Sequence, residues 1–323
     1  YQTNHHEFLV KPEIEEVMDD IIRAFDEPFA DDSAIPNYYI ARETRKHVTV
    51  ALSGLGGDEM SAGYERYLGL KLLHYYHTIP EGIRDGIISK VIQRLPDFQF
   101  MGLWIERLKR FSRVSNLPFV ESYFKISSKL DNDEKQTLFT PDALKKMGSD
   151  YDSVHHFRHY NEMCNSRNEL DCMLFIDAHT YMVDQLLVLS DRMSMAHALE
   201  LRVPYLDHTL VELFARIDPT MKLHGMVKKY LLKKVAEKYF PKDFIYRNKM
   251  GFSSPIVIWL RNDLKKFMFH LLNKKDIERT GIINPDTVNR YVVEHLERKH
   301  NHDMKLWSLM MFMIWHKLYF DKY

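Results

Sequence analysis

The chain has 323 residues, of which 45% are hydrophobic and 28% charged, a composition typical of a soluble globular protein. Lys and Arg together number 45, as do Asp and Glu, so the formal net charge is zero. This balance gives no support for a nucleic-acid-binding surface or for attraction to an anionic membrane. The two cysteines exclude a disulfide framework. We therefore expect no nucleic-acid or membrane partner, free thiols that are partly buried, and a reducing cytoplasmic location.

Two segments bear on targeting and membranes. The opening "YQTNHHEFLV" has no basic n-region and no long apolar core, so it does not resemble a signal peptide. The most apolar segment, Leu306 to His316, is far shorter than the ~20 residues that span a bilayer. It predicts a buried C-terminal helix.

The first elements in chain order alternate between strands and helices. A short apolar run, His6 to Lys11, predicts a buried strand. Helical spacing of apolar residues predicts a helix from Pro12 to Glu27, and a second, shorter helix is predicted from Asn37 to Lys46. The β-branched run His47 to Leu52 predicts a buried strand.

From Leu68 onward the pattern is almost entirely helical, with proline breaks and almost no convincing strand. A short exception comes before Pro204, where Glu200 and Arg202 alternate with apolar residues and point to the same side of an extended segment. Upstream, the seven-residue spacing of Asp184 and Asp191 predicts that they share one helix face. The fold class is therefore α/β and mostly α-helical, with few parallel strands followed by a large helical region.

The stretch "VALSGLGGDEMSAGYERY" at residues 50–67 places a glycine turn and two acids directly after a strand. Ligands bind at the carboxyl ends of strands in open α/β sheets, and glycines let the backbone approach a ligand closely. Asp58 and Glu59 are hard oxygen ligands suited to Mg²⁺. These residues fit a nucleotide–Mg²⁺ site and, equally, a plain turn with acids that favour a helix N-terminus.

Four blocks in order resemble the synthetase domain of glutamine-dependent asparagine synthetases. They are "HHEFLV", the stretch from "DEPFADDSAIP" through the glycine turn, "LSDRMSMAHALELRVPYLDH" and "YRNKMGFSSPIVIWLR". The resemblance implies a truncated PP-loop (adenine-nucleotide alpha-hydrolase-like) ATP pyrophosphatase domain. Residues 1–67 would form the remainder of its α/β sheet, and residues 68–323 its helical part.

The resemblance also implies the reaction. MgATP would adenylate the side-chain carboxylate of aspartate, and ammonia would displace AMP to give the amide. In complete members of this family a glutaminase domain with a cysteine nucleophile frees the ammonia from glutamine. Neither that domain nor the family's "SGGxDSS" phosphate loop occurs in these residues. We therefore interpret them as a C-terminal fragment that lacks glutaminase activity, binds ATP poorly and is inactive alone.

Site residues are carried over from the family by position. Ser53 and Gly54 would contact the nucleotide, and Asp58 would hold Mg²⁺. Asp191, Arg192, Glu200 and Arg202 would line the adenylate and acceptor pocket, although Glu200 and Arg202 also fit a purely structural clamp. Lys249, on a polar loop, would stabilise the charge at the α-phosphate. Glu59 fits either a functional role or capping of the following helix, and the lysines at 228, 229, 233 and 234 are expected to be solvated.

Leu55 stands where many relatives carry Glu or Asp. A leucine can neither transfer a proton nor bind a cation, so the substrate could be another small carboxylate, as in amidotransferases of glycan or natural-product pathways. A non-catalytic helical interaction module is the third alternative. Because strands are missing from the sheet, we expect a bare apolar surface that self-association into a homo-oligomer, or crystal packing, would cover.

Overall fold

The computed structural model describes residues 3–83, 89–94, 111–112, 114–148, 152–247 and 254–320. It is mostly helical with a few short strands, in agreement with the predicted fold class. Strands lie at Val50–Leu52 (β1), Glu200–Arg202 (β2), Leu223–His224 (β3) and Val227–Lys228 (β4). Helices lie at Ile14–Phe25, Ala34–Arg45, Gly57–Met60, Glu65–His77, Glu81–Ile83, Ser89–Arg94, Phe119–Ser127, Asn132–Leu138, Pro141–Met147, His155–Met163, Glu169–His179, Val188–Met195, His208–Arg216, Pro219–Lys222, Tyr230–Ala236, Lys242–Ile245, Ile256–Arg261, Lys265–Leu271, Lys274–Thr280, Pro285–Leu296 and Asp303–Tyr319.

The N-terminal segment confirms one prediction and contradicts another. Helix Ile14–Phe25 buries a full apolar face and ends where Asp26 adopts a left-handed conformation. The strand predicted at His6 to Lys11 is wrong, because these residues are irregular and Phe8 and Leu9 are exposed. A strand needs a neighbour for its backbone hydrogen bonds, and no described strand lies beside this segment.

The second helix and the first strand differ from prediction in extent and burial. The helix begins at Ala34, three residues before the predicted start, because Pro36 is compatible with the first turn. The strand forms at Val50–Leu52, but 39% of Val50 and 74% of Leu52 are exposed. The prediction of burial is therefore wrong. Parallel sheets are ordinarily covered on both faces, and a two-stranded sheet leaves this surface open.

Two small sheets exist in the described part of the chain. Strands β1 and β2 pair in parallel, with Val50 opposite Glu200 and Leu52 opposite Arg202. This confirms the predicted extended segment at Glu200 to Arg202. Strands β3 and β4 form an antiparallel hairpin, and they lie in the region predicted to hold almost no convincing strand.

A π-helix interrupts the helical segment that carries Asp184 and Asp191. Helix Glu169–His179 is followed by the π-helix Tyr181–Leu187 and then by helix Val188–Met195. The axis of helix Glu169–His179 is bent by 44° relative to that of the continuous segment Tyr181–Met195. A π-turn widens the helical repeat, so the seven-residue spacing of Asp184 and Asp191 does not correspond to two regular α-helical turns.

Two apolar clusters form the described core. The larger joins helices Ile14–Phe25 and Ala34–Arg45 with the C-terminal helices, including Asp303–Tyr319, in which Leu306, Trp307 and Met310 are buried as predicted. The smaller surrounds Tyr67 and Tyr123 and includes apolar residues of helix Glu169–His179. Because the larger cluster draws on both ends of the chain, the two predicted parts share a core. A boundary at Tyr67 stays a prediction.

No helix of the described ranges is by itself long and apolar enough to cross a bilayer. One bent pair, Glu169–His179 with Tyr181–Met195, meets the criteria of length and composition when its members are taken together.

Candidate active site

The glycine turn lies at the carboxyl end of β1, where the parallel ladder continues for one more hydrogen bond. The backbone N–H of Ser53 donates to the carbonyl of Arg202 at 2.8 Å. The Ser53 hydroxyl accepts a hydrogen bond from the backbone N–H of Leu55 at 3.3 Å. Gly54 is exposed, and no atom lies within 4 Å of the position a Cβ would take there. A ligand can therefore reach the backbone at Gly54 directly.

Gly56 determines the shape of the turn and, unlike Gly54, does not expose its backbone to a ligand. Its φ is +89°, a left-handed conformation that favours glycine. A Cβ at this position would lie 2.4 Å from Cδ2 of Leu206, in the 3₁₀ turn Pro204–Leu206 that follows β2. Because Gly56 has no side chain, the segment after β1 can pack closely against the segment after β2.

Asp58 lies in the one-turn helix Gly57–Met60 and is held by a lysine from a distant part of the chain. Nζ of Lys229 is 2.9 Å from Oδ1 of Asp58. Lys229 follows β4 in a left-handed conformation. A Cβ on Gly63 would lie 1.8 Å from the same carboxylate oxygen, so Gly63 leaves the space that Asp58 occupies. The site therefore combines a carboxylate, a cation and an open glycine backbone.

The prediction that the four lysines are solvated holds for Lys234, which is exposed, and is wrong for Lys228, Lys229 and Lys233, which are half-buried. Besides the Lys229–Asp58 pair, Lys228 is paired with Glu65, Lys234 with Glu237, and Lys233 lies over the ring of Tyr246. Burial, with the charges of Lys228 and Lys229, lowers the pKa of Lys233. Sequence periodicity missed the Lys228–Glu65 and Lys229–Asp58 pairs because the hairpin of β3 and β4 returns this segment to the glycine turn. The hairpin residues around Gly225 were the available signal.

Glu59 is buried and accepts a hydrogen bond from the hydroxyl of Tyr64. Gly56 is the N-cap of helix Gly57–Met60, and no side chain provides a capping hydrogen bond there. Of the two interpretations left open by the sequence, capping by Glu59 is therefore contradicted.

The residues predicted to line the adenylate and acceptor pocket lie at the surface near β2. Asp191 and Arg192 are exposed on helix Val188–Met195, which packs next to β2. Nε of Arg202 is 2.8 Å from Oε1 of Glu200, and both side chains are more than half exposed. The pair matches the predicted clamp in geometry, but its exposure leaves both groups accessible to a ligand. Lys249 lies outside the described residues.

The side chains and backbone at the glycine turn provide oxygen ligands for a nucleotide and a divalent cation. The carboxylate of Asp58 is a hard oxygen ligand, and one carboxylate with substrate phosphates is how Mg²⁺ is often held. The open backbone at Gly54 and the Ser53 hydroxyl suit a phosphate or ribose oxygen. No cluster of three or more His, Cys, Asp or Glu side chains that could hold a metal was found in the described ranges. The residues therefore fit a cation that is shared with a phosphate ligand, not an all-protein metal cage.

Concavities in the described residues do not all lie at this site. One of about 460 Å³ lies between helices Asn132–Leu138 and Pro141–Met147, with Lys135 and Lys145 among its lining residues. It is open to solvent and contains none of the candidate site residues. We assign the site by its chemistry and its place at the strand ends.

Comparison with known proteins identifies the family of this chain. The family described as asparagine synthase matches residues 1–317. Asparagine synthetase [glutamine-hydrolyzing] 1 of Bacillus subtilis is 31% identical over 302 residues, which cover 94% of this chain and 45% of that protein. A putative asparagine synthetase [glutamine-hydrolyzing] of Mycobacterium bovis is 28% identical, covering 94% of this chain and 44% of that protein.

A third relative, asparagine synthetase [glutamine-hydrolyzing] 3 of Bacillus subtilis, is 24% identical over 86% of this chain and 40% of its own length. The chain thus spans less than half the length of these relatives. The glycine turn, the paired strands and the match along nearly the whole chain lead to one conclusion: the chain belongs to the asparagine synthase family.

Proposed function

We propose that this chain is the ATP-dependent synthetase domain of a carbon–nitrogen ligase that amidates the side chain of aspartate. A carboxylate oxygen of aspartate would attack the α-phosphorus of ATP, and the bond to the bridging oxygen of pyrophosphate would break. Ammonia would then attack the acyl carbon, and AMP would leave with the electrons of the broken C–O bond. Residues 1–67 would supply the sheet and residues 68–323 the helical part.

The observation that carries the proposal is the convergence of β1, β2 and Asp58. The parallel pair brings the glycine turn next to Glu200 and Arg202, and the Lys229 contact holds Asp58 beside that turn. Open strand ends, a carboxylate and a lysine suit a nucleoside triphosphate better than an apolar ligand.

Each residue would have a separate role. Ser53 and Gly54 would bind the nucleotide, with Asp191 and Arg192 toward the adenylate. Asp58 would hold Mg²⁺, which when bound neutralises the charge on the leaving pyrophosphate. Glu200 and Arg202 would orient the carboxylate acceptor, and Lys249 would stabilise the charge that grows at the α-phosphate.

Ammonia is the expected nitrogen donor at this site. The relatives are named as glutamine-hydrolysing enzymes, so in the natural protein a glutaminase domain would supply ammonia from glutamine. The 323 residues by themselves would then show no glutaminase activity.

A pyrophosphate-release assay on the natural protein tests the proposal. We expect release that depends on ATP, Mg²⁺ and aspartate, with asparagine as product, and a loss of about 100-fold or more in Asp58→Asn. Asp142→Asn is the matched control, because Asp142 is also the second residue of a helix but is exposed and far from the site in sequence. Full activity in Asp58→Asn, or an equal loss in both variants, would contradict the role of Asp58.

Leu55 favours a second candidate, amidation of a different small carboxylate. It occupies the turn between Ser53 and Gly56, and its backbone contact to the Ser53 hydroxyl places it within the candidate site. An active protein that releases pyrophosphate with other carboxylates, but makes no asparagine from aspartate and ammonia, would favour this candidate over the first.

A further inference from the structure

A buried ion pair lies behind the candidate site. Nη2 of Arg66 is 2.6 Å from Oδ2 of Asp177, and only 1% of the Asp177 side chain is exposed. The hydroxyl of Tyr67, itself fully buried, donates to the same carboxylate. Burial, together with the negative charge of Asp177, raises the pKa of Tyr67 well above its ordinary value, so the hydroxyl stays a donor.

The guanidinium of Arg66 is also enclosed by two aromatic rings. Its Cζ lies 4.7 Å from the ring centroid of Tyr64 and 4.3 Å from that of Tyr181, the first residue of the π-helix. The two rings meet edge to face at 5.7 Å. Burial lowers the pKa of Arg66, but the neighbouring Tyr123 and Asp177 outweigh it and raise that pKa, so the cation persists.

Contacts continue from this cation to the helix that carries Asp58. The ring of Tyr64 lies against Arg66, and the Tyr64 hydroxyl donates to the buried carboxylate of Glu59. Glu59 is the residue next to Asp58 in helix Gly57–Met60. Helix Glu169–His179, which carries Asp177, packs directly against that short helix. A continuous series of contacts therefore connects Asp177, Arg66, Tyr64 and Glu59.

Stability alone does not explain such an arrangement. A buried ion pair adds little net stability over apolar residues of similar volume, because desolvation offsets the attraction. A helix of four residues, in contrast, cannot fix its own orientation, since its nucleation is unfavourable and it has a single turn of hydrogen bonds. Glu59 is fully buried, whereas Asp58 is partly exposed and pairs with Lys229.

We propose that Arg66 and Asp177 are positioning residues that set the orientation of Asp58 toward a divalent cation. Asp177 holds the guanidinium, the guanidinium holds the ring of Tyr64, and the Tyr64 hydroxyl fixes Glu59 and with it the rotation of helix Gly57–Met60. This inference rests on the proposed role of Asp58 as a metal ligand.

The test measures cation binding separately from catalysis. In the natural protein, Mn²⁺ is titrated with a non-hydrolysable ATP analogue, and binding is followed by the enhancement of water proton relaxation. Asp177→Asn keeps the shape and an acceptor for Tyr67 but removes the charge. We expect the half-saturating Mn²⁺ concentration to rise about tenfold, and the Mg²⁺ concentration for half-maximal pyrophosphate release to rise in parallel, with a smaller change in kcat.

Asp171→Asn is the matched control. Asp171 lies on the same helix, Glu169–His179, and pairs at 2.9 Å with Lys222, whose side chain is almost fully buried. Its loss should lower the free energy of unfolding while leaving half-saturation within about twofold of the wild type. Equal shifts in half-saturation for Asp177→Asn and Asp171→Asn would overturn the inference.

Tyr64→Phe provides an independent variant should Asp177→Asn fail to fold. It keeps the ring over Arg66 and removes only the hydroxyl that bonds Glu59, so we expect a severalfold rise in half-saturating Mn²⁺. An unchanged value would overturn the inference. In a double-mutant cycle, the Tyr64→Phe and Asp177→Asn shifts should be non-additive because both interrupt one series of contacts.

Asp58→Asn separates the two proposals. If it leaves Mn²⁺ binding unchanged, the proposed metal site is wrong. If it abolishes binding while Asp177→Asn behaves like Asp171→Asn, the metal site stands and only the positioning role fails.

Discussion

The two core regions handle a buried ionisable group in opposite ways. Beside the larger apolar cluster, His295 is completely buried, and burial with the nearby charge of Arg261 lowers its pKa to about 4. It is therefore neutral at pH 7. Beside the smaller cluster, Arg66 and Asp177 remain a charged pair. A buried group that is held neutral avoids the desolvation cost of a charge, whereas a buried pair carries that cost and offsets it by mutual attraction and hydrogen bonds.

The largest expected effect comes from the larger cluster. Trp307 is 1% exposed, and Trp307→Ala should lower the free energy of unfolding by about 3–5 kcal/mol through lost burial and a cavity. Urea unfolding measures this change. Phe269→Ala is the control, since Phe269 is 49% exposed and its loss should cost well under about 1 kcal/mol. The folded fraction of both variants should bind Mn²⁺ equally well. Weaker Mn²⁺ binding by Trp307→Ala alone would show that the larger cluster also affects the candidate site.

Removing only one partner of the Arg66–Asp177 pair should lower the free energy of unfolding nearly as much as Trp307→Ala does. Arg66→Met leaves Asp177 buried without its cation and should cost about 3 kcal/mol in urea unfolding. Arg66→Met with Asp177→Asn removes both charges and should be more stable than Arg66→Met alone. Arg216→Met, at a pair with Glu212 in which both side chains are largely exposed, should cost under about 1 kcal/mol. A double variant less stable than Arg66→Met would show that uncompensated charge is not the cause.

Because His295 is buried in its neutral form, the free energy of unfolding should depend on pH. In the folded protein its pKa is about 4, whereas in the unfolded chain it has the ordinary value near 6.5. Between these values the unfolded chain binds a proton that the folded protein does not, so stability falls as the pH is lowered from 7 to 4. The expected loss is about 3 kcal/mol. The difference in unfolding free energy between wild type and His295→Gln, followed against pH, isolates it. A difference that is independent of pH would contradict the prediction.

The smallest expected effect concerns the turn between the strands. Gly56→Ala imposes a left-handed conformation on alanine and a clash with Leu206 and should cost about 1–2 kcal/mol. In a Leu206→Ala background the clash is relieved and only the backbone strain should persist. Calorimetric unfolding of the four proteins of this cycle provides the measurement. Equal costs of Gly56→Ala in both backgrounds would exclude the Leu206 contact as a cause.

Sequence patterns predicted the elements whose information is local. The helix at Ile14–Phe25 and the C-terminal helix follow from apolar spacing, and the strand at Val50–Leu52 follows from its β-branched residues. The strand predicted at His6 to Lys11 failed because pairing depends on a neighbour that the local sequence does not specify. The burial of β1 failed for a related reason, since coverage of a sheet face depends on distant elements.

The site was predictable in composition but not in its supporting contacts. The glycine turn and Asp58 were identified from "SGLGGDE", and the paired geometry of Glu200 and Arg202 from their alternation. The Lys229–Asp58 and Arg66–Asp177 pairs join positions 171 and 111 residues apart (229 − 58 and 177 − 66). Nothing in local periodicity specifies such partners. An aspartate within the apolar run "CMLFIDAH" was the available signal that a buried cation would be found beside it.

The pairing of β1 with β2 also bears on the order of events during folding. The three-residue ladder joins Val50 to Glu200 and so closes a loop of 150 residues (200 − 50). Long-range pairing loses loop-closure entropy before its stabilising contacts form, whereas helices form from neighbours in sequence. The candidate site should therefore be among the last parts of the protein to assemble. During refolding, helical circular dichroism would recover first, and the ability to bind a divalent cation at the glycine turn would follow.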